Sequence, residues 1–230
     1  YRKAHPYTKG NGYNPYARNM DFVTKRVSNN NFFNPNALYV EWKKEKEKYA
    51  NSKHFKSGNW IAKGPINTPI ILSNGKRRGN GRVNCITFDP FDSNIIWVGS
   101  PSGGLWKSLD GGNNWTTNTD DLPVIGVSHI AINPTDNQIM YIVTGDADAN
   151  DTYSIGVLKS VDGGGTWATT GLSYSVDQES TVNKIIINPN NPDSLYAVTN
   201  TNIQISADAG ASWQSVGALG RWRDIEFKPK

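Results

Sequence analysis

The stretch Ser108-Leu109-Asp110-Gly111-Gly112-Asn113-Asn114-Trp115 returns twice along the chain, as SVDGGGTW at 160–167 and SADAGASW at 206–213. All three copies fit S-x-D-x-G-x-x-W, and their serines are 52 and 46 positions apart. The serine hydroxyl and the aspartate carboxylate can bond backbone groups of a tight turn, and glycine tolerates a positive φ. The pattern predicts a repeated hairpin turn with structural roles for Ser108, Asp110, Gly112, Trp115, Ser160, Asp162, Gly164, Trp167, Ser206, Asp208, Gly210 and Trp213.

Each turn belongs to a unit of four short apolar segments. The first segment of a unit ends in proline, as in VNCITFDP at 83–90, VSHIAINP at 127–134, VNKIIINP at 182–189 and WRDIEFKP at 222–229. A repeat of four strands at this spacing is typical of a propeller blade. The repeat is too long for a leucine-rich or ankyrin repeat. The sequence therefore predicts an all-β fold, a β-propeller of four-stranded antiparallel blades.

The repeat also predicts where the blades begin and end. Because an open ring leaves unpaired strand edges, we expect the native chain to continue past Lys230 with its remaining blades. The predicted parts are a ring-closing strand at about 59–67, three blades at about 82–121, 127–172 and 182–218, and the first strand of a next blade at 222–230.

The N-terminal quarter differs from the rest in charge. Residues 1–58 hold 12 Lys and Arg against 4 Asp and Glu, whereas residues 59–230 hold 12 against 16. Residues 1–36 lack a sustained period and predict an extended basic arm, followed by one short helix at about 35–50 that Asn34 and Pro35 can start. The run KKEKEK alternates in sign, which favours a solvated helix face over a nucleic-acid site.

Composition excludes several classes of protein. A single cysteine, Cys85, permits no internal disulfide and no zinc cage, and its apolar neighbours favour a core position over a nucleophile. No apolar run approaches the length of a membrane span. An apolar fraction of 37% is sufficient for a folded domain.

At the three turns, the chain resembles the Asp-box, or BNR, repeats of sialidase, xyloglucanase and sortilin-type propellers. The resemblance covers about residues 59–230. The basic arm, the short helix and the motifs N-W-x-x-x-G-P (59–65), G-R-V-N (81–84) and G-G-L-W-K-S-x-D-G-G (103–112) give a layout similar to large secreted propeller proteins of bacteria that use type IX secretion. This resemblance implies a secreted or cell-surface protein whose C-terminal sorting domain contacts the secretion machinery.

Candidate binding residues lie on the face opposite the S-x-D-x-G-x-x-W turns. This funnel face consists of the loops between the second and third strands of each blade and the loops between blades, and such loops carry function on rigid scaffolds. The candidate ligand-binding residues are Arg77, Arg78, Arg82, Asp146, Asp148, Asp151, Tyr153, Glu179, Arg221 and Arg223.

No catalytic residue can be assigned. The sialidase motif R-I-P is absent, and Tyr153 beside Asp151 is an ordinary loop pair. Xyloglucanase-like enzymes carry an aspartate just before Gly-Gly in the loop that here reads GSPSGG (99–104), without an acid. Because inverting hydrolysis needs two carboxylates, an enzyme of that type would need acids from outside this chain.

One acidic loop permits a metal hypothesis. Asp146, Asp148 and Asn150 follow D-x-D-x-N, with Asp151 next, so an irregular Ca²⁺ site is possible beside the alternative of a solvated loop. An EF-hand is excluded because Asp151 and Val157 replace its glycine and closing glutamate. No other cofactor is predicted.

The main functional hypothesis is a non-catalytic recognition or adhesion module that binds protein or glycan and belongs to a larger secreted or cell-surface protein. The alternative is a glycoside hydrolase, sialidase- or xyloglucanase-like, whose catalytic acids lie partly outside this chain. A third alternative is a purely structural base for a distant functional module.

Overall fold

The computed structural model describes residues 13–24, 27, 36–49, 81–147, 152–217 and 219–228. The chain divides into two compact units, Tyr1–Phe55 and Lys56–Lys230. No helix of the described residues is long and apolar enough to cross a membrane. The predicted ring-closing strand at 59–67 lies outside the described residues.

The first unit contains two helices, α1 (Tyr13–Thr24) and α2 (Ala37–Tyr49). Helix α2 falls within the range expected for the single helix, and Lys44 Nζ contacts Glu41 Oε1 at 2.7 Å on its surface. Helix α1 corrects the expectation of an extended arm over 1–36. Its sequence places Pro15 in the first turn, where no backbone donor is needed, and contains neither Gly nor Pro from there to Thr24.

The second unit contains three four-stranded antiparallel sheets, which confirms the predicted blade architecture. In each sheet the strands pair in chain order, so neighbouring strands are joined by hairpins. The strands are β1 (Cys85–Phe88), β2 (Ile96–Ser100), β3 (Gly104–Ser108) and β4 (Thr116–Thr117); β5 (Val127–Ile132), β6 (Met140–Thr144), β7 (Gly156–Ser160) and β8 (Ala168–Ser173); and β9 (Val182–Ile187), β10 (Leu195–Thr199), β11 (Ile203–Ser206) and β12 (Gln214–Val216).

Hydrophobic cores lie between successive blades. Strand β6 shows how one strand serves two of these cores, because successive side chains of a strand point to opposite faces. Met140 and Ile142 pack in the core between the first and second blades, whereas Tyr141 and Val143 pack in the core between the second and third. All five residues of β6 are buried. The middle blade is therefore covered on both faces.

The three S-x-D-x-G-x-x-W turns share one hydrogen-bond pattern. In the second turn, the buried Ser160 hydroxyl donates to Asp162 Oδ1 at 2.7 Å and accepts from the Gly164 N–H at 2.8 Å. Asp162 Oδ1 also accepts from the Thr166 N–H at 2.8 Å. The first and third turns repeat these contacts at 2.8–2.9 Å. The carboxylates of all three aspartates therefore accept hydrogen bonds from groups of their own turns.

The second and third turns also bind the preceding blade. Lys107 Nζ of the first blade donates to the Gly163 carbonyl of the second at 3.1 Å, and it lies 4.5 Å from the centroid of the Trp97 ring. At the equivalent junction, Lys159 Nζ donates to the Ala209 carbonyl at 3.2 Å. The Tyr141 hydroxyl donates to the same carbonyl at 3.0 Å. A lysine and an aromatic ring of one blade thus hold the turn of the next.

Trp167 differs from the two equivalent tryptophans. Trp115 and Trp213 donate their indole N–H to a glycine carbonyl of their own turns, at 2.9 and 3.0 Å. In the second turn the equivalent carbonyl is that of Gly164, and it accepts a hydrogen bond from Asn118 Nδ2 of the first blade at 2.6 Å. The buried indole nitrogen of Trp167 consequently has no hydrogen-bond partner among the described residues.

The segment 222–228 occupies the place predicted for the first strand of a next blade but has no regular strand structure. Asn84 of the first blade donates to the Val127 carbonyl of the second at 3.3 Å, and Asn183 of the third blade donates to the Trp222 carbonyl in the same way. No second strand follows in the described chain to pair with this segment. The start of a next blade at 222–230 therefore stays a prediction.

The tryptophan difference predicts unequal effects on stability. Trp213→Phe removes a satisfied donor and is expected to lower the free energy of unfolding by about 1 kcal/mol more than Trp167→Phe, which removes an unsatisfied one. Both changes delete the same atoms from half-buried rings, so each variant is the control for the other. Chemical denaturation measures the difference, and equal losses would contradict the hydrogen-bond assignment.

The turn aspartates predict a loss of stability in acid. Hydrogen bonds from the residue four positions later, led by the backbone N–H in Asp110 and Asp162 and by the Ser212 hydroxyl in Asp208, lower these carboxyl pKa values from 3.8 to about 2. A lowered carboxyl pKa stabilises the fold above pH 3.8, and this contribution disappears as the pH falls through about 2.

Thermal melting between about pH 5 and pH 2 checks this expectation. This is about the pH interval over which carboxylates titrate. The variant Asp162→Asn should show a smaller drop in melting temperature over that interval than the unaltered chain. Asp120→Asn, which alters an exposed carboxylate outside the turns, is the control and should leave the drop unchanged. An identical pH profile in all three proteins would disprove the role of Asp162.

Candidate functional site

The inner pocket is a cavity of about 370 Å³ where the first strands of the blades meet. A smaller cavity of about 20 Å³ beside it shares Ala147, Asn183 and Arg223 and adds Thr181, Asn200 and Arg221. Both are formed by first strands and by loops of the funnel face. The residues that line the inner pocket are Arg82, Val83, Asn84, Ser128, His129, Ala147, Asn183, Lys184 and Arg223.

The repeat explains why these residues meet. Asn84, Ser128, Asn183 and Arg223 occupy the second position of the four first segments, directly after Val83, Val127, Val182 and Trp222. Strand β5 contacts both β1 and β9, so equivalent positions of successive blades become neighbours. Three of the four side chains are short and uncharged, and the fourth is an arginine.

Arg82 and Asp146 form an ion pair within the site. Asp146 is fully buried and Arg82 is partly exposed, with side-chain exposures of 0% and 40%. The loop that carries Asp146 is held by further bonds: Ser128 Oγ donates to the Gly145 carbonyl at 2.8 Å and accepts from the Ala147 N–H at 3.0 Å. The pair therefore links the segment before β1 to the loop between β6 and β7.

The positive charge of Lys184 is balanced by two carboxylates of the segment 222–228. Its Nζ lies 2.5 Å from Asp224 Oδ1 and 3.5 Å from Glu226 Oε1, and its side chain is only 18% exposed. The hydrogen bond from Lys184 is the main cause that lowers the pKa of the Asp224 carboxyl. Lys184 thereby ties the third blade to the segment 222–228.

His129 is held uncharged. Burial, followed by the nearby charge of Lys184, lowers the pKa of its imidazole from 6.5 to about 4. Its buried Nδ1 has no hydrogen-bond partner among the described residues. The ring consequently contributes a polar surface to the pocket at neutral pH without adding a charge.

Cys85 lies at the start of β1, next to this site. Burial raises the pKa of its thiol to about 12, so the thiolate that a nucleophile needs is not formed at neutral pH. The position agrees with the core role expected from the sequence.

The structure brings together part of the predicted site. Arg82, Asp146 and Arg223 meet at the inner pocket and Arg221 lies at the adjoining cavity, whereas Tyr153 and Glu179 line neither. Glu179 is exposed and has a φ of 51° where it ends a short 3₁₀ turn. The predicted residues that lie outside the described part of the chain are Arg77, Arg78, Asp148, Asn150 and Asp151.

Sequence reasoning missed the pocket residues that lie on strands. Asn84, Ser128, His129, Asn183 and Lys184 were assigned to blade scaffolding because the candidates were sought in loops. The repeat offered a signal, since polar residues at one position of every first segment are unusual in a buried strand.

The described residues offer neither a metal cluster nor a raised carboxyl pKa. No group of three or more His, Cys, Asp and Glu side chains in the described part of the chain is arranged to hold a metal ion. Of the four residues of the Ca²⁺ hypothesis only Asp146 is described. The carboxyl pKa values that shift in this part, those of Asp110, Asp162, Asp208 and Asp224, all shift downward.

Comparisons with known proteins bear on the fold and on ancestry. No protein-family model matches the chain. A structure described as an ancestral GH74 enzyme matches 60% of this chain and 18% of that one, with a TM-score of 0.52 and 24% identity. The fold is a β-propeller. This propeller is similar in sequence to a xyloglucanase of Paenibacillus sp., 28% identical over 150 residues that are 60% of this chain and 15% of that enzyme.

A xyloglucanase of Hypocrea jecorina is 25% identical over 154 residues, 61% of this chain and 18% of that enzyme. The chain therefore spans less than a fifth of the length of these relatives. The similarity supports a relationship to glycoside hydrolases of the propeller type.

The Arg82–Asp146 pair yields a prediction for stability. Arg82→Met keeps much of the side-chain volume but leaves a buried carboxylate without this partner, which is expected to cost about 2 kcal/mol in the free energy of unfolding. Arg221→Met, at an exposed arginine, should cost much less. Urea denaturation of both variants measures the contrast, and a similar stability for both would show that the pair does not anchor the loop.

Proposed function

We propose that this propeller is the glycan-binding part of a protein related to the xyloglucanases, and that its described residues bind the glycan without cleaving it. The observation that carries the proposal is the similarity over 150 residues to an enzyme named for its action on a polysaccharide. The proposal narrows the recognition module expected from the sequence, because it chooses glycan over protein as the ligand.

The chemistry of the inner pocket supports a polyhydroxylated ligand. Amide groups of Asn84 and Asn183 and the hydroxyl of Ser128 can donate and accept hydrogen bonds, as sugar hydroxyls require. The pocket is a concave site with a few converging polar groups at the inner ends of rigid strands, the common arrangement for small-ligand sites.

The carboxylates of the described residues support binding without hydrolysis. Hydrolysis of a glycosidic bond uses a pair of carboxyl groups, one of which has a raised pKa so that it can donate a proton. Asp146 is engaged by Arg82, and the loop 99–104 contains no acid. The described part of the chain therefore supplies no evident pair for acid–base chemistry.

A glycoside hydrolase is the second candidate function. It is favoured by the relatives themselves, since those compared above are xyloglucanases. In this case the catalytic acids belong to residues outside the described part, such as Asp148 and Asp151, or to other segments of the protein. The inner pocket would then bind one end of the substrate.

Secretion is the localisation that fits either candidate. A polysaccharide outside the cell is too large to enter it, so a protein that binds such a ligand acts outside the cell or at its surface. The resemblance to type IX secreted propellers agrees with this proposal and adds the secretion machinery as a proposed partner. We also propose that the three turns are Asp-boxes of the sortilin-like type and that a Ca²⁺ ion binds in the loop of Asp146.

Incubation of the full chain with xyloglucan separates the two functions. Binding is measured by affinity gel electrophoresis, and cleavage by the release of reducing ends. The expected result is retarded migration without release of reducing ends. Release of reducing ends would replace the binding function with the hydrolase. If a panel of neutral and acidic polysaccharides neither retards the chain nor is cleaved, both are disproved.

A further inference from the structure

Positive charge is concentrated at the inner pocket. The sequence from 81 to 228 holds 16 Asp and Glu against 7 Lys and Arg and is therefore acidic. Four of these seven cationic residues nevertheless line the inner pocket or the small cavity beside it: Arg82, Lys184, Arg221 and Arg223. No Asp or Glu is among the described residues that line either cavity.

Two of the four charges are already balanced by carboxylates. Arg82 pairs with Asp146, and Lys184 lies between Asp224 and Glu226. His129 is neutral at pH 7 because its pKa is about 4. Arg221 and Arg223 are exposed, and neither forms an ion pair with a described carboxylate. The unbalanced positive charge of the described site therefore resides on Arg223, which lines both cavities, and on Arg221, which lines the smaller one.

The repeat singles out Arg223. Its equivalents in the three preceding blades are Asn84, Ser128 and Asn183, whose short side chains are uncharged. A guanidinium stays protonated at any physiological pH and presents a planar fork of donors that matches two oxygens of one anion. Arg223 is thus the member of the ring of equivalent positions that can bind an anionic group.

We propose that the inner pocket recognises an acidic glycan, and that Arg221 and Arg223 bind its anionic group, a carboxylate or a sulfate ester. The inference rests on the proposed glycan-binding function and specifies the class of glycan. In this arrangement Asn84 and Asn183 contact hydroxyl groups of the same sugar chain. Within residues 81–228, the negative charge elsewhere repels acidic polymers, so within this range their binding is expected at this site.

Affinity gel electrophoresis and calorimetry on the full chain test the inference with three polysaccharides. Polygalacturonate carries carboxylates, dextran sulfate carries sulfate esters, and xyloglucan is neutral. The variants are Arg223→Gln, the double variant Arg221→Gln/Arg223→Gln, and Lys228→Gln as a control that removes the same charge from an exposed residue lining neither cavity. Thermal melting verifies that each variant is folded.

The expected result is binding of at least one acidic polysaccharide, with an affinity about tenfold lower in Arg223→Gln, as for the loss of one charged hydrogen bond, and lower still in the double variant. Lys228→Gln should bind as the unaltered chain does, and raising the salt concentration should weaken binding. Polygalacturonate binding alone identifies the carboxylate, and dextran sulfate binding alone identifies the sulfate ester.

Three results would overturn the inference. An equal loss in Lys228→Gln would mean non-specific attraction. Binding of xyloglucan but of neither acidic polymer would refute the acidic glycan while leaving the glycan-binding function intact. If none of the three polysaccharides binds, the proposed function fails together with the inference.

Discussion

The rest of the propeller depends on the hydrogen bonds of one buried serine hydroxyl, which lies at the end of the third strand of each blade. Ser108, Ser160 and Ser206 are 1–2% exposed, and each hydroxyl bonds both a carboxylate and a backbone N–H of the turn that follows it. The carboxylate in turn fixes the chain four residues later. A charge-assisted network of this kind defines the backbone of the turn closely, because its groups have few alternative partners.

The rigid turn then becomes half of a blade junction. The residue directly after the aspartate presents its carbonyl to the lysine of the preceding blade, as Gly163 does for Lys107 and Ala209 for Lys159. The lysines also lie over aromatic rings, which adds cation–π attraction and covers their methylene stems. The structure of the turn and the packing between blades therefore depend on the same contacts, and Trp97 and Tyr141 take part in these contacts.

The contacts between neighbouring blades determine which side chains line the inner pocket. They bring the first strands together, so one position of the repeat forms a ring of side chains, in which Arg223 interrupts a series of short polar residues. The paired charges of Arg82 and Lys184 hold the loop of Asp146 and the segment 222–228 against the strands. Arg221 and Arg223, which form no ion pair with a described carboxylate, are the charged groups of the site on which the proposal of an acidic glycan rests.

The sequence by itself determined the blades. Recurrence of the serine, aspartate, glycine and tryptophan fixes the turns, since only a tight turn needs these residues at this spacing, and the apolar segments between them alternate as strands do. It identified Arg82, Asp146, Arg221 and Arg223 as candidates, but not Asn84, Ser128, His129, Asn183 or Lys184. It also missed α1, which starts at Tyr13 in a stretch without apolar period. Tertiary structure alone decided which charges cancel, that Asn118 takes the carbonyl that Trp167 would otherwise use, and which strand residues reach the pocket. These outcomes depend on distances between blades, and a one-dimensional pattern contains no information on the side chains that another blade brings within hydrogen-bonding range.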